Sequence, residues 1–571
     1  MSFLKNLLSA FTPKERAIFL SSAAIAAASF FAVIGIVIAQ STRMVPAPGG
    51  TYRPGLVGQP EYVNPVTARS EADLELVKLV YPNVADVADQ ITSSPGGRTW
   101  TVHLKSGLTW QDGAQLTSDD IIFTVQSIQN PDADSPLATA WQGVTANRVS
   151  ELEVQFKLAN PYAFFADDLS RLYIVPKHLF ADVPPGNWRL SDYTLKPVGA
   201  GPYEFVSYNQ GADGFITDYK LKAWGGYAGS HPLIPNLDFA FFRNTTDLIN
   251  AFNAGQIDGF GGATNGDLAA IDRPYQLLTW RTPGYYAVFF NQSKNLALQD
   301  PAVRAALSMT VDRNALVSQA LDGHGVPDYG PIPPDAPYYA PVGGNPISTS
   351  TPNQAPGSSS TASGTPETPL DAAAALLTQA GWNISSSTGF RTHMIQQTAV
   401  PLAVNLTVPD IGFLVRTAQA LQNEWSSLGA QVTIATDTTE NIVANDIRNR
   451  NYESLLFGNV LGPNSDLFSF WDSSQRFSPG LNLAIYQNKS VDALVEDARQ
   501  NMSDASRTAE FAAAQADIVA DTPAVFLYSP DYLYVAANNV RGVSTQESLG
   551  DPSDIAQQMA GWYLDTARVL K

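Results

Sequence analysis

The stretch Thr99–Ile128, TWTVHLKSGLTWQDGAQLTSDDIIFTVQSI, constrains the fold most, because it compresses a strand, a turn and a capped helix into one run. Val102 and Leu104 alternate with Thr101, His103 and Lys105, the period-two pattern of a half-buried strand. Asp112-Gly113 supplies a tight turn, and Thr117 with Asp120 has the spacing of a helix-opening capping box. Ile121, Val125 and Ile128 then share one helical face. Similar signals recur: Asp300 can cap and Pro301 can open a helix carrying Val303, Leu307 and Val311, and Asp312 can cap the next. Leu414, Ala418, Leu421, Trp425 and Leu428 keep helical spacing up to Gly429, after which Val432 and Ile434 alternate as in a strand. Strands and helices in alternation predict a mixed α/β architecture.

With 571 residues the chain exceeds what one hydrophobic core supports. Cores stop growing near about 250–300 residues, so two or three lobes are expected. The net charge of −19, with none of the 34 basic residues in a dense run, argues against a nucleic-acid partner. Acidity either keeps an exported chain soluble or attracts cationic ligands. Cysteine is absent, which removes disulfides, thiolate metal sites, cysteine nucleophiles and a lipidated cysteine together.

Ala17 to Ala39 carries no charge. At about 1.5 Å per residue a helix of that length crosses a hydrocarbon core of about 30 Å. Lys5, Lys14 and Arg16 precede it and Arg43 follows, which favours the N-terminus inside and the body after Gln40 outside. Val37-Ile38-Ala39 also leaves a cleaved signal open, although the apolar run exceeds the 7–15 residues usual there. Either way the body is extracytoplasmic. Ser41–Gly50, with Pro46, Pro48, Gly49 and Gly50, reads as a stalk without periodicity. Residues 343–369, rich in Ser, Thr, Pro and Gly, read as a surface insertion that cannot bury enough apolar area to order itself.

Catalytic signatures are missing. The histidines His103, His178, His231, His324 and His393 stand apart, with no HExxH. Gly199-Ala200-Gly201 lacks the third glycine of a dinucleotide loop, and neither a P-loop nor a GxSxG elbow occurs. Asn130–Asp134 lacks the glycine and distal glutamate of a calcium loop. Gly259, Gly261 and Gly262 are expected to form a tight turn. No cofactor, metal or enzymatic activity is indicated.

The Thr99–Ile128 string resembles the family 5 extracellular solute-binding proteins, the peptide and nickel receptors of ABC importers. The resemblance continues in family order through PVGAGPYEFVSY (Pro197–Tyr208), LINAFNAGQIDGF (Leu248–Phe260), the long run Tyr285–Pro334, and LGPNSDLFSFWDSSQ (Leu461–Gln475) with GLNLAIYQNKSVDALVEDAR after it. It covers Gly50 to the C-terminus. It implies a two-lobed, type II periplasmic-binding-protein-like α/β fold with an extra subdomain in the first lobe, preceded here by one N-terminal transmembrane helix. The implied division is a cytoplasmic segment 1–16, an anchor or uncleaved signal 17–39, a stalk 40–50, a first lobe 51–283 with its extra subdomain at about 76–190, a second lobe 284–529, and a return to the first lobe at 530–571. The crossings fall near Pro283-Gly284 and Ser529-Pro530.

The resemblance also implies the work: ligand capture between hinged lobes and delivery to an ABC permease with its ATPase subunit, by a monomer. Peptide-binding relatives hold ligand largely through main-chain hydrogen bonds, as an added strand does. They fix the ligand ammonium with the first aspartate of an Asp-x-x-Asp-Pro-like segment. Here the matching segment is Asn459–Asp466, with Leu461 at that position and Asp466 at a later acidic one. Asp466 either reaches a cationic group or caps the helix of Phe468 and Trp471. Trp471, Phe457, Tyr285 and Tyr286 either line the cleft or fill the core. Asn459 opens the matching segment, and Asn482 and Tyr486 lie where relatives approach ligand. An oligopeptide is the expected cargo. The alternatives are a glycan, opine or metal chelate in the same fold, or a membrane-anchored sensory or chaperone protein.

Overall fold

The computed structural model describes residues 11–342, 368–546 and 548–570. Local signals in the sequence become caps and core faces. Thr117 and Asp120 form a reciprocal capping box on the helix Ser118–Gln129, whose Ile121, Val125 and Ile128 are buried. The strand Thr99–Leu104 before it buries Trp100, Val102 and Leu104, and lies in a four-stranded antiparallel sheet between Ala88–Ser93 and Glu153–Lys157. Asp300 caps Pro301–Met309 and Asp312 caps Arg313–Ala320 through their side chains. Gly429 takes the left-handed conformation (φ +97°) just after the helix Gly412–Ser427.

A mixed sheet of 13 strands runs through the whole body. Its long strand Ala524–Ala537 changes partners part-way. Ala524 to Tyr528 pairs with Gly284–Phe290, whereas Asp531 to Ala537 pairs with Tyr275–Arg281. The two partner strands are consecutive in the chain, separated only by Thr282 and Pro283, so two adjacent connections carry the chain from one set of cores to the other. Hydrophobic cores on one side recruit residues between Tyr52 and Trp280 together with Leu533–Trp562. Those on the other side recruit residues between Tyr285 and Tyr528. These are the two lobes, and apart from the crossing strands they also touch directly. Phe164, from the first lobe, is buried in a second-lobe core, stacked on Phe511 with ring centroids 6.2 Å apart. Beside it, Ala163 N–H donates to the Arg499 carbonyl at 2.7 Å.

Glycines make the tightest of the first-lobe contacts. A Cβ at Gly201 would lie 2.7 Å from the Leu79 and Val80 carbonyl oxygens, so the Gly-x-Gly-Pro-Tyr turn seats directly on the end of the helix Glu71–Val80. Gly259 and Gly261 are a different case. They form a strand, Gly259–Gly261, not the turn expected of them; only Gly262 turns, with φ +69°. A Cβ at either strand position would collide with a phenol oxygen, that of Tyr52 at Gly259 and of Tyr532 at Gly261. The glycines are there because tyrosines cross the strand.

At the N-terminus, the helix Pro13–Ser41 contains a span, Pro13–Val33, long and apolar enough to cross a membrane and unburied by the body. The stalk expected to be irregular is instead a strand. Thr42–Ala47 pairs antiparallel with Asp565–Leu570, from Thr42 opposite Leu570 to Ala47 opposite Asp565. Alternation was hidden there by Pro46 and Pro48, which read as breakers although an edge strand tolerates proline. Of the Ser/Thr/Pro-rich tract, 343–367 lies outside the described residues. Thr368 and Pro369 do not belong to it: they open the helix Pro369–Gln379 with a capping box to Asp371.

Candidate functional site

Where the long strand changes partners, a cavity of about 260 Å³ lies between the lobes. One wall is the second lobe: Tyr285 and Tyr286 at the start of Gly284–Phe290, Phe457 to Val460 at the end of Ser454–Val460, and Ile411 and Leu414 at the head of a helix. The facing wall is Pro530 with the loop Leu549 to Pro552. The lining is largely apolar, and Asp551 is its one charged side chain among the described residues.

The polar part of this wall is built by a small network. Asn459 and Tyr285 sit directly opposite on paired strands, and Asn459 Nδ2 donates to the Tyr285 hydroxyl at 3.0 Å. Trp471 Nε1 donates to the same oxygen at 3.2 Å. Burial pushes the Tyr285 phenol upward, so it stays neutral. Asn459, almost fully buried, borders the cavity with its amide held in this way. Tyr286 points to the other face, where its ring meets Phe413 edge-on at 5.2 Å. Its cross-strand neighbour is Gly458, and a Cβ there would lie 2.9 Å from the ring. On the facing wall burial opposes ionisation of Asp551, but Lys78 at 3.6 Å and the Ser553 donors outweigh it and hold the carboxyl below its ordinary range.

Thus Tyr285, Tyr286, Phe457 and Asn459 come together around one cavity. The other four residues singled out in the sequence lie elsewhere. Asp466 lies one residue before the N-cap position, Leu467, of the helix Phe468–Trp471 and accepts from the Phe468 N–H at 3.0 Å, and its other oxygen pairs with Arg499 at 3.0 Å. Trp471 is fully buried behind Tyr285. Asn482 is also fully buried, accepting from Tyr486 N–H at 3.0 Å and donating to the Tyr486 and Asp472 carbonyls. The Tyr486 hydroxyl donates to Asp521 at 2.6 Å. It borders a larger cavity of about 830 Å³, lined by Arg450, Arg476 and Asp521 within the second lobe alone. The loop 549–552 and the helix head at Ile411 were missed by sequence reasoning, because neither carries a pattern until the fold sets it against Tyr285. Among the described residues no three His, Cys, Asp or Glu side chains gather as metal ligands.

The sequence model of the bacterial extracellular solute-binding proteins, family 5 middle, matches residues 82–478, more than half of the chain. The chain belongs to this family. This family 5 protein is 25% identical over 514 residues to the oligopeptide-binding protein AppA of Bacillus subtilis, covering 87% of this chain and 89% of the relative. Among solved structures, that of the ABC transporter substrate-binding protein CtaP from Listeria monocytogenes matches with a TM-score of 0.73 at 22% identity, over 90% of this chain and 99% of that one. The Bacillus subtilis AppA structure, a complex with a nonapeptide, matches with a TM-score of 0.65 at 23% identity, over 91% and 100%. The two-lobed α/β architecture of the family 5 protein is therefore that of known substrate-binding proteins, and its task is binding a solute outside the cytoplasm.

Proposed function

We propose that this protein captures a peptide in the cavity between its lobes and presents the closed form to an ABC permease and its ATPase subunit. The observation that carries the reading is that both lobes supply walls to one cavity at the strand that crosses between them. A ligand touching both walls binds the closed arrangement better than the open one, and so shifts the population toward closure. Oligopeptide binding by the AppA relatives supports peptide as the cargo. Asn459 Oδ1 accepts a ligand N–H, and Tyr286 and Phe457 receive an apolar side chain. Asp466, Trp471, Asn482 and Tyr486 serve as framework around that wall.

At about 260 Å³ the space is at or below the size of ordinary small-ligand sites, about 300–1,000 Å³, which favours a short peptide. The apolar N-terminal helix is retained as an anchor in this reading, and the protein acts as a monomer without catalysis. Mass spectrometry of small molecules released from the purified protein tests the cargo. Short peptides are expected, and release of a sugar, opine or metal chelate in their place overturns the assignment.

A further inference from the structure

A second, smaller cavity of about 190 Å³ opens in the first lobe, where the strands Pro54–Val57 and Gly259–Gly261 end against the helix Glu71–Val80. Glu71 and Glu75, one helical turn apart, both line it. Like charges at this spacing repel on an isolated helix. Burying a carboxylate without a partner costs far more, and an apolar side chain of similar size would fill the place without that cost.

Glu75 is only 6% exposed, yet its Oε2 finds no hydrogen-bond partner. The cation on the same helix, Lys78, is already engaged: its ammonium donates to Asp554 and to Ser553 Oγ, each at 2.6 Å. Glu71 accepts a single long bond of 3.3 Å from the Tyr532 hydroxyl, which reaches it across the missing Cβ of Gly261. The chain thus shapes a strand in glycine to bring a phenol to one carboxylate, and leaves an oxygen of the other buried without a partner beside the same cavity.

We propose that Glu71 and Glu75 form a subsite for a cationic group, an ammonium or guanidinium carried by the peptide. This inference rests on the peptide-capture reading and adds a preference to it. Asp551, in the wall of the cavity between the lobes, is near enough for its charge to act on both glutamates. A cation placed between the glutamates forms charge-assisted bonds with both and removes the penalty of the buried carboxylate.

Burial, with repulsion from neighbouring carboxylates, pushes both glutamates above their ordinary range, Glu75 far above it. The groups around them are Lys78 on the same helix, Asp551 and Asp554 from the C-terminal segment, Tyr52, Tyr532 and Tyr534 from the strands, Asp258 just before the strand Gly259–Gly261, and Asp267 from the short helix Asn265–Leu268. Burial favours the neutral form of Glu75, and a cation bound there favours the charged one.

The test passes a proteolytic peptide mixture over the immobilised full-length protein and identifies the retained peptides, for the wild type, Glu75→Gln and the double variant Glu71→Gln/Glu75→Gln. The wild type should enrich Lys- or Arg-containing peptides about tenfold over the input, the size expected of one charge-assisted bond. The double variant should retain peptides without that enrichment. Calorimetry of a retained cationic peptide in two buffers of different ionisation enthalpy should show proton release that Glu75→Gln abolishes. Peptides retained by the wild type without enrichment overturn the subsite and leave peptide capture standing. Retention of no peptide at all overturns both. Both variants should melt no lower than the wild type, which separates loss of preference from loss of fold.

Discussion

Trp471 donates its indole N–H to the hydroxyl of Tyr285, and the Tyr285 oxygen in turn receives the Asn459 amide. Two buried rings thereby aim one asparagine. Trp471 belongs to a short helix whose indole is otherwise packed against Phe526 and Tyr486. A residue outside the cavity lining therefore helps hold the side chain of one within it.

Tyr285→Phe removes the oxygen and keeps the ring. It should lower stability by about 1 kcal/mol, the net worth of a buried hydrogen bond, while weakening peptide binding about tenfold by freeing Asn459 to turn. Chemical denaturation and calorimetry together check this. Binding unchanged in a variant of near wild-type stability would show that Asn459 is not aimed by this contact.

Gly458→Ala places a methyl group 2.9 Å from the Tyr286 ring. The ring must shift toward Phe413 or into the cavity, an overpacking cost of about 1–3 kcal/mol. Thermal unfolding should register it, and peptide affinity should drop in step. Affinity retained in full would mean that Tyr286 is not part of the ligand wall.

Phe164→Ala withdraws the ring that the first lobe packs against Phe511 and Tyr338 of the second. Small-angle scattering of the unliganded variant should show a larger radius of gyration than the wild type, and affinity should fall because closure has lost an apolar contact. Identical scattering from both proteins would assign closure to other contacts.

Asp328 predicts a pH dependence. It lies just beyond the short strand Gly325–Pro327, fully buried, and burial pushes its carboxyl up to about 8 against the opposing pull of the Gly330 and Tyr329 N–H groups and of Arg313. Between its ordinary value and about 8 the folded chain holds a proton that the unfolded chain has released. Stability from this group is therefore full at low pH and falls as pH rises through that window, with a slope of at most about 1.4 kcal/mol per pH unit. Denaturant titrations across the window should show a shallower fall for Asp328→Asn. Equal slopes in the two proteins would remove Asp328 as the cause.

Elements that depend on neighbours in sequence could be read from it: the Thr117–Asp120 box, the Asp300 and Asp312 caps, and the buried faces after them are all local patterns. The candidate site was half legible. Tyr285 and Tyr286 open one family block and Phe457 and Asn459 lie just before another, on the strand paired with the first, so a regional reading sufficed. Asp466 stayed open between a cap and a contact to a cationic group because nothing local pairs it. Its partner Arg499 arrives on a different helix. Asp551 and the glutamates of the first lobe were invisible for the same reason, since burial and the spending of Lys78 on Asp554 are facts of three dimensions. The strand at Gly259–Gly261 was misread because a glycine run suggests a turn unless the rings crossing it are known.

The ladder between Thr42–Ala47 and Asp565–Leu570 has a mechanical consequence. The polypeptide leaves its apolar helix already zipped to its own final strand, so the body stands on a two-strand pedestal where a leash was expected. Whatever surface receives the helix also receives the strand Asp565–Leu570. A cargo protein fused after residue 571 would be crowded against that surface, and loosening either strand would let the whole receptor tumble about its foot.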